Sequence, residues 1–400
     1  MENSKILVCG AGIAGTTLAY WLKEYGFEPT LVEQGSATRD GGYIVDFWGR
    51  GLEVAEKMNL LPALRSKAYE IDEVRLVDDQ GNRVGGLDTK VIRSLLGEHF
   101  LRILRGDLAK IIHESLEGRV RTILNDAVTG VAEEENGLQV AFENADPERF
   151  DLVVGTGGLC SPINDFVFGR QQLFENHLGH YAASFSVEGY PRRDCRAFVS
   201  YSAPGRQISR YTLRNDRTVF LMVFSSRDRL LLGRDKQDEQ KAILHQAFRH
   251  HLCDWECPAI FSALEQSSDL YFNAVGQIRK DRWSKGRVAL LGNAGFWPSL
   301  LAGQGSALAM LEAYVLAGEL KHSAGDYRLA FEVYENRLHP FILRKQRAAA
   351  RFARSFAPRT RFGIRVRNQV TRLMTLPGVA NLAMGRLLYD PFVLPTYADE

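Results

Sequence analysis

Short apolar runs that stop at glycine are separated along this chain by longer helical stretches and, in its middle, by strictly alternating segments. Lys5 to Cys9 is such a run and stops at Gly10, which predicts a buried parallel strand. Residues 14–25, rich in Ala, Leu and Tyr, predict a helix, with Gly26 where it would stop. Glu28 to Glu33 is a second apolar strand, so the chain opens with a βαβ unit. Residues 53–68 read as helical, and residues 71–92 alternate around Gly81-Asn82 as antiparallel strands. Asp107 is placed to cap a helix through Leu116 that Gly118 closes. Residues 119–143 predict two or three strands with Asn136-Gly137 as a hairpin turn.

Phe150 to Gly155 is again apolar and ends in glycine, so the chain returns to its first sheet. Residues 180–224 alternate and predict a second, mostly antiparallel sheet, and 236–252 a helix. Arg287 to Gly292 is a further strand ending at glycine, followed by a strong helix over 303–320. The expected organisation is a nucleotide layer from residues 1–70, 98–178 and 270–340, an inserted β-sheet domain from 71–97 and 179–269, and a basic helical segment at 341–400.

Composition narrows the function classes. The 400 residues are 45% hydrophobic and 24% charged, which is ordinary for a globular protein and excludes wholesale disorder and fibrous repeats. A net charge of +2 gives no global field for nucleic acid, so no nucleic-acid partner is expected. Five scattered cysteines fit a reducing compartment better than a disulfide framework. No apolar run is long enough to span a bilayer, and no cationic leader precedes a long apolar core. A cytoplasmic location is the expectation.

The first turn carries the chemistry. Gly10-Ala11-Gly12-Ile13-Ala14-Gly15 follows a strand and opens a helix. The first glycine permits the tight turn, the second lets a pyrophosphate approach the backbone, and the third lets helix and strand pack. N–H groups at the helix start face the diphosphate. Glu33 ends the next strand, where a carboxylate can bond a ribose hydroxyl pair. Together these predict a dinucleotide site.

Three further segments occur in order: Arg105-Gly106-Asp107-Leu108, Gly155-Thr156-Gly157-Gly158-Leu159-Cys160-Ser161-Pro162, and Leu291-Gly292-Asn293-Ala294-Gly295-Phe296-Trp297-Pro298 leading into Gly303-Gln304-Gly305. With them the chain resembles the FAD-dependent aromatic hydroxylases of the p-hydroxybenzoate hydroxylase fold, and most closely the branch of tetracycline-modifying and polyketide-tailoring monooxygenases. The resemblance covers residues 1–340. It implies an α/β fold in which a Rossmann-like, glutathione-reductase-type FAD layer is assembled from discontinuous segments. An antiparallel substrate sheet is inserted into that layer, and helices follow. It implies that Gly10, Gly12, Gly15 and Glu33 hold the ADP half of FAD, and that Arg105 reaches the cofactor. Ile13, Ala14, Gln34, Gly42, Tyr43, Gly157, Asn293, Pro298, Gly303 and Gly305 complete the implied cofactor set. A pocket between flavin and second sheet would be walled by Tyr43, Phe47, Trp48, Tyr211, Phe220, Met222, Phe224, Phe296 and Trp297, which suits a large aromatic or polycyclic substrate of secondary metabolism. NAD(P)H would be the reductant.

The chain leaves the family pattern at three charged positions. The middle motif normally has Asp where Gly157 stands and a basic residue where Asn164 stands. The third motif normally has Asp where Asn293 stands. The resemblance implies that these charges support FAD and reduced nicotinamide. Their joint neutralisation opens two alternatives to the monooxygenase: a non-redox flavoprotein that speeds a cyclisation, with FAD structural, and a cofactor-free binding protein.

Other constellations point elsewhere. His245, His250, His251, Cys253 and Cys257 lack the tight paired spacing of a zinc site, so no metal is expected. From Arg344 to Arg372 the chain carries ten basic residues and no acidic one. These read as a solvated or body-packed helix face, with docking to an acidic partner or membrane surface as the functional alternative.

Overall fold

The structure, a computed structural model, describes residues 2–35, 43–91, 99–116, 118–158, 161–170, 173–191, 194–226, 228–230, 236–299, 303–374, 379 and 391–397. Its central sheet runs in the order Ser284–Lys285, Val288–Leu290, Leu152–Gly155, Lys5–Cys9, Glu28–Glu33, Arg121–Leu124. All neighbours are parallel except the first pair. The strand Lys5–Cys9 is central and has helices or sheet on both sides, which is why its sequence is continuously apolar rather than alternating. One face packs on the helices Ile13–Glu24 and Gly305–His322, whose facing residues include Leu18, Leu22, Leu311 and Val315. The other face is covered by a three-stranded antiparallel sheet, Val128–Glu134, Gly137–Phe142 and Glu148–Phe150.

The second large sheet has seven strands in the order Tyr271–Ile278, Glu175–Glu188, Arg217–Ser225, Arg206–Thr212, Ala197–Ala203, Glu73–Val77, Arg83–Asp88. It is antiparallel apart from the pair Ala197–Ala203 with Glu73–Val77. A two-stranded ribbon, Ile44–Trp48 with Phe100–Leu104, links the two layers.

Several boundaries differ from the sequence reading. The strand Tyr271–Ile278 belongs to the seven-stranded sheet, not to the nucleotide layer, because it pairs with Glu175–Glu188 along almost its whole length. That partner strand starts at Glu175, inside the segment assigned to the first layer. The helical stretch at 53–68 is two helices, Arg50–Lys57 and Leu61–Lys67, broken where Asn59 takes a left-handed backbone. The helix expected to be capped by Asp107 begins at Arg105, with Asp107 in its first turn. No break separates a body from a C-terminal segment at 341, because a single helix runs from Tyr327 to Phe356. Its interior Pro340 is accommodated without ending it.

Candidate active site

The glycine turn is built by close backbone approach. Gly10 has φ +119°, and a Cβ there would lie 2.8 Å from the Gly157 backbone. A Cβ on Gly15 would lie 1.9 Å from the Gly10 carbonyl oxygen. Two neighbouring segments, 9–15 and 155–157, therefore touch main chain to main chain. Thr156 ties them: its hydroxyl donates to the carbonyls of Cys9 at 3.0 Å and Gly10 at 2.8 Å. Ile13 and Ala14 are buried in the first turn of the helix behind. Gly12 differs from its neighbours: a Cβ there would meet nothing within 4 Å. Its side of the turn is open, and that is where a pyrophosphate would approach.

Glu33 ends its strand beside this turn. One carboxylate oxygen accepts from the Ala11 N–H at 2.7 Å and the other from the Gly35 N–H at 3.0 Å. Each oxygen keeps a second acceptor direction for a ribose hydroxyl. Gln34 follows it, exposed. Arg105 is exposed at the start of its helix, and its N–H donates to the Tyr43 carbonyl at 3.1 Å. Gly42 lies outside the described residues.

The third segment folds as a 3-10 turn, Gly292–Ala294, with Asn293 half-buried on it. The turn is held from behind by Glu312, whose carboxyl accepts the Gly292 N–H at 2.8 Å. Glu312 is fully buried, and burial pushes its carboxyl well above the ordinary carboxylate range. Burial therefore favours its neutral form. Pro298 is buried, and its carbonyl accepts from Gln277. A Cβ on Gly303 or Gly305 would meet nothing within 4 Å, so the N-terminus of the long helix Gly305–His322 also opens on empty space. Ser299, next to Pro298, has a buried hydroxyl with no partner among the described residues. Open backbone at Gly12, Gly303 and Gly305, a helix N-terminus and an orphaned hydroxyl are what FAD would fill. The residues present fit it.

The altered middle motif has a counterpart that the sequence reading missed. Asn164 is fully buried, and its amide oxygen accepts from the Lys280 ammonium at 2.5 Å. An ammonium only donates, so it fixes the amide with its nitrogen toward the Ala294 carbonyl, 3.5 Å away. Lys280 is itself only 6% exposed and lies over the rings of Phe174 at 3.9 Å and Phe168 at 4.9 Å. Burial lowers its pKa to about 8, against a smaller opposing pull from Asp165. A cation thus stands beside the position from which the family's basic residue is missing, supplied from a different segment. Gly157 has no such substitute, but a Cβ there would sit 3.4 Å from Ser161, in ordinary contact.

The aromatic residues expected to wall the substrate pocket do not converge. The Tyr211 hydroxyl accepts the Ile44 N–H at 2.7 Å, and the Tyr43 ring lies 6.0 Å from that of Tyr271. Trp48 closes a small cavity of about 10 Å³ with Arg50, Gln304, Leu308, Leu311 and Lys345. Trp297 packs against Gly276. Phe47 and Phe296 are core, the latter 5.1 Å from Trp283. Phe220, Met222 and Phe224 are placed differently. They lie on the far face of the seven-stranded sheet, beneath the helices Gln237–Phe248 and Cys257–Gln266. On that strand Val219, Leu221 and Val223 occupy the face shared with Tyr211 or with the helix Tyr327–Phe356. The three large residues are one position out of phase with the expected pocket.

No group of His, Cys, Asp or Glu that could hold a metal occurs among the described residues. His245 and His251 instead pair with Glu265 and Asp254, each at 2.7 Å. Cys257 is buried and its thiol is pushed up to about 12. Cys160 lies outside the described residues. No helix among the described residues is long and apolar enough to cross a membrane.

Comparison with known proteins agrees with this geometry. Residues 3–341 match the model of the FAD binding domain family. A flavin-dependent monooxygenase from an unknown prokaryotic organism is 34% identical over 362 residues, covering 89% of this chain and 90% of that protein. One from Legionella longbeachae is 33% identical, covering 89% and 90%. The crystal structure of tetracycline destructase Tet(55) superposes with a TM-score of 0.83 at 31% identity, covering 99% of this chain and 100% of that one. Klebsiella pneumoniae HpxO, solved with FAD and uric acid, shares the fold at a TM-score of 0.75 and 20% identity, covering 98% of each chain. The chain belongs to the FAD binding domain family and is an FAD-dependent monooxygenase of the aromatic-hydroxylase fold.

Proposed function

We propose that this monooxygenase hydroxylates a large, oxygenated aromatic or polycyclic small molecule, with NAD(P)H as reductant. The observation that carries the substrate class is the group of three tyrosines, Tyr43, Tyr211 and Tyr271, where the linking ribbon meets the seven-stranded sheet. The half-buried rings of Tyr43 and Tyr271 offer flat apolar surface, and Tyr211 is buried beside the ribbon. Burial raises the Tyr211 hydroxyl above its usual pKa, so it remains a donor at neutral pH. Flat surface with protonated hydroxyls suits a substrate that carries both fused rings and oxygen functions. The name of one solved relative supports the same class: the tetracycline destructase Tet(55).

Bound flavin supplies the oxygen chemistry. The chain contributes the glycine turn and Glu33 to seat it, and Glu312 and the Lys280–Asn164 pair to hold the Gly292–Ala294 turn. It offers no acidic side chain at Gly157, and Lys280 is too enclosed to reach a second nucleotide. Flavin reduction by NAD(P)H is therefore expected to be slow. The test is an anaerobic mix of FAD-loaded protein with NADH and NADPH, with and without a polycyclic phenol, followed by oxygen. Substrate-dependent oxygen uptake and a product heavier by one oxygen atom support the reading. Gly157→Asp should speed reduction roughly 10-fold, the scale of one charge-assisted hydrogen bond. Conversion of substrate without oxygen uptake would instead establish the cyclisation reading, which the neutral positions Gly157 and Asn293 favour.

A further inference from the structure

Two groups stand out among the ten basic residues between Arg344 and Arg372. One set fastens the C-terminal helices to the body. Lys345 lies 5.3 Å over the Trp48 ring, and Arg367 donates to Ser202, Gln207 and the Phe356 carbonyl, each at 3.1 Å. With Asn368 and Thr371, Arg367 forms the face of the helix Arg361–Leu373 that packs on the sheet edge at Gly85 and Gly86. The other set faces outward from the same helix.

That outward face is ordered. Phe362, Val366, Val370 and Leu373 are 75%, 44%, 41% and 52% exposed. They recur at i, i+4, i+8 and i+11, which is one stripe of an α-helix. Arg361, Arg365 and Arg372, also exposed, recur at i, i+4 and i+11 and form the adjoining stripe. The four apolar residues are nearly half of the nine large hydrophobics exposed among the described residues, so they are not the scatter of single apolar side chains ordinary on a surface. An apolar row bordered by a cationic row, with no acidic residue from 344 to 372, is the composition of a helix that lies in a membrane interface.

We propose that the helix Arg361–Leu373 docks the protein on an anionic lipid bilayer. The phenyl ring of Phe362 and the side chains of Val366, Val370 and Leu373 enter the boundary between headgroups and acyl chains. Arg361 and Arg365 meet headgroup phosphates. The buried face, with Arg367, stays on the sheet, so docking needs no unfolding. An acidic protein surface would satisfy the arginines but offers no reason for a contiguous apolar row. A bilayer takes both stripes and requires no shape match. The protein would bind as a peripheral protein, because none of its described helices can span.

The experiment uses the full chain and sedimentation with vesicles of phosphatidylcholine, alone or mixed with phosphatidylglycerol. Wild-type protein should sediment with the mixed vesicles and at least about 10-fold less with the neutral ones. Neutralising Arg361 and Arg365 to Gln should weaken binding on the order of 10-fold. Phe362→Ser should weaken it several-fold at unchanged charge. All three positions are exposed, and an unchanged unfolding temperature verifies that the fold is intact. A second measurement reads insertion directly. The indole of Phe362→Trp should shift to shorter emission wavelength on mixed vesicles and be quenched by lipids brominated on the acyl chain. Absence of binding to mixed vesicles overturns the proposal. So does binding that Phe362→Ser leaves unchanged and that leaves the indole in water, since that pattern marks a surface for soluble polyanions such as an acidic protein.

Discussion

Lys280 and Asn164 show how a site can keep a charge while its motif loses one. Asn164 replaces a basic residue, yet an ammonium stands 2.5 Å from its amide, delivered from 116 positions away in the chain. We expect Lys280→Met to weaken FAD binding by roughly 10-fold or more, because the relay to the Gly292–Ala294 turn loses its charged member. Adding Asn164→Arg to that variant should restore most of the loss, and flavin fluorescence quenching measures both. The wild-type affinity should fall as pH rises through about 8, where Lys280 loses its proton, and the Lys280→Met variant should lack that step. The other titratable groups near this ammonium are Asp165, which favours its charged form, and His339, whose ring contacts the Lys280 carbonyl at 3.3 Å. Glu312 carries the opposite sign of the same argument. Folding raises the pKa of its carboxyl, so the unfolded chain binds fewer protons and the stability it contributes falls as pH rises above about 4.5. Glu312→Gln should remove that slope. Denaturant titrations at pH 4 and pH 8 should show the variant gaining on wild type at the higher pH. The glycine turn and Glu33 beside it were legible in the sequence because their placement depends on local spacing. Lys280, Thr156 and Glu312 were not, because each acts across a contact that only the closed sheet creates.

Among the elements, strands exposed the limit of reading a single sequence. Alternation identified Arg217–Ser225 as a strand, but period two leaves open which face meets the site. The larger residues were assigned to the pocket, whereas they fill the far side under two helices. The deciding signal lay outside the strand. Leu244, Phe248, Ile260, Phe261 and Leu264 form the apolar faces of the helices that follow, and those faces need a sheet surface rich in large side chains. Phe220→Ala should therefore cost about 3–5 kcal/mol in a urea titration while leaving FAD affinity unchanged. A loss of flavin binding out of proportion to stability would place Phe220 back at the site. The helix Arg361–Leu373 is secured in part by the half-buried guanidinium of Arg367, which desolvation holds at a pKa of about 10 and which lies among neutral acceptors. Arg367→Met removes those bonds and leaves Gln207 Oε1 with the Ser202 hydroxyl as its remaining donor. Limited proteolysis should then cut the link between the two C-terminal helices, around residues 357–360, much faster than in wild type.

For the whole molecule, the layered plan was legible because strand–glycine turn–helix patterns recur at three distant points. The exact division was not, because the strands that join the layers, Glu175–Glu188 and Tyr271–Ile278, carry no boundary in their composition. The order of strands in the central sheet also sets a schedule for synthesis. Lys5–Cys9 leaves the ribosome first and pairs on one side with Glu28–Glu33, but its other parallel neighbour is Leu152–Gly155, and that strand waits in turn for Val288–Leu290. The flavin cradle needs the turn at Gly10, the segment at 155–157 and the turn at Gly292. A nascent chain shorter than about 290 residues therefore holds an incomplete central sheet, with the fully buried strand Leu152–Gly155 as an unpaired edge. Such long-range parallel pairing is slow and leaves aggregation-prone edges exposed. During translation the βαβ start and the inserted seven-stranded sheet must remain soluble apart from one another, so the cofactor meets a complete binding surface only when roughly the last quarter of the chain is being made. FAD supply should thus govern how much newly made protein matures, and scarcely affect how long mature protein survives.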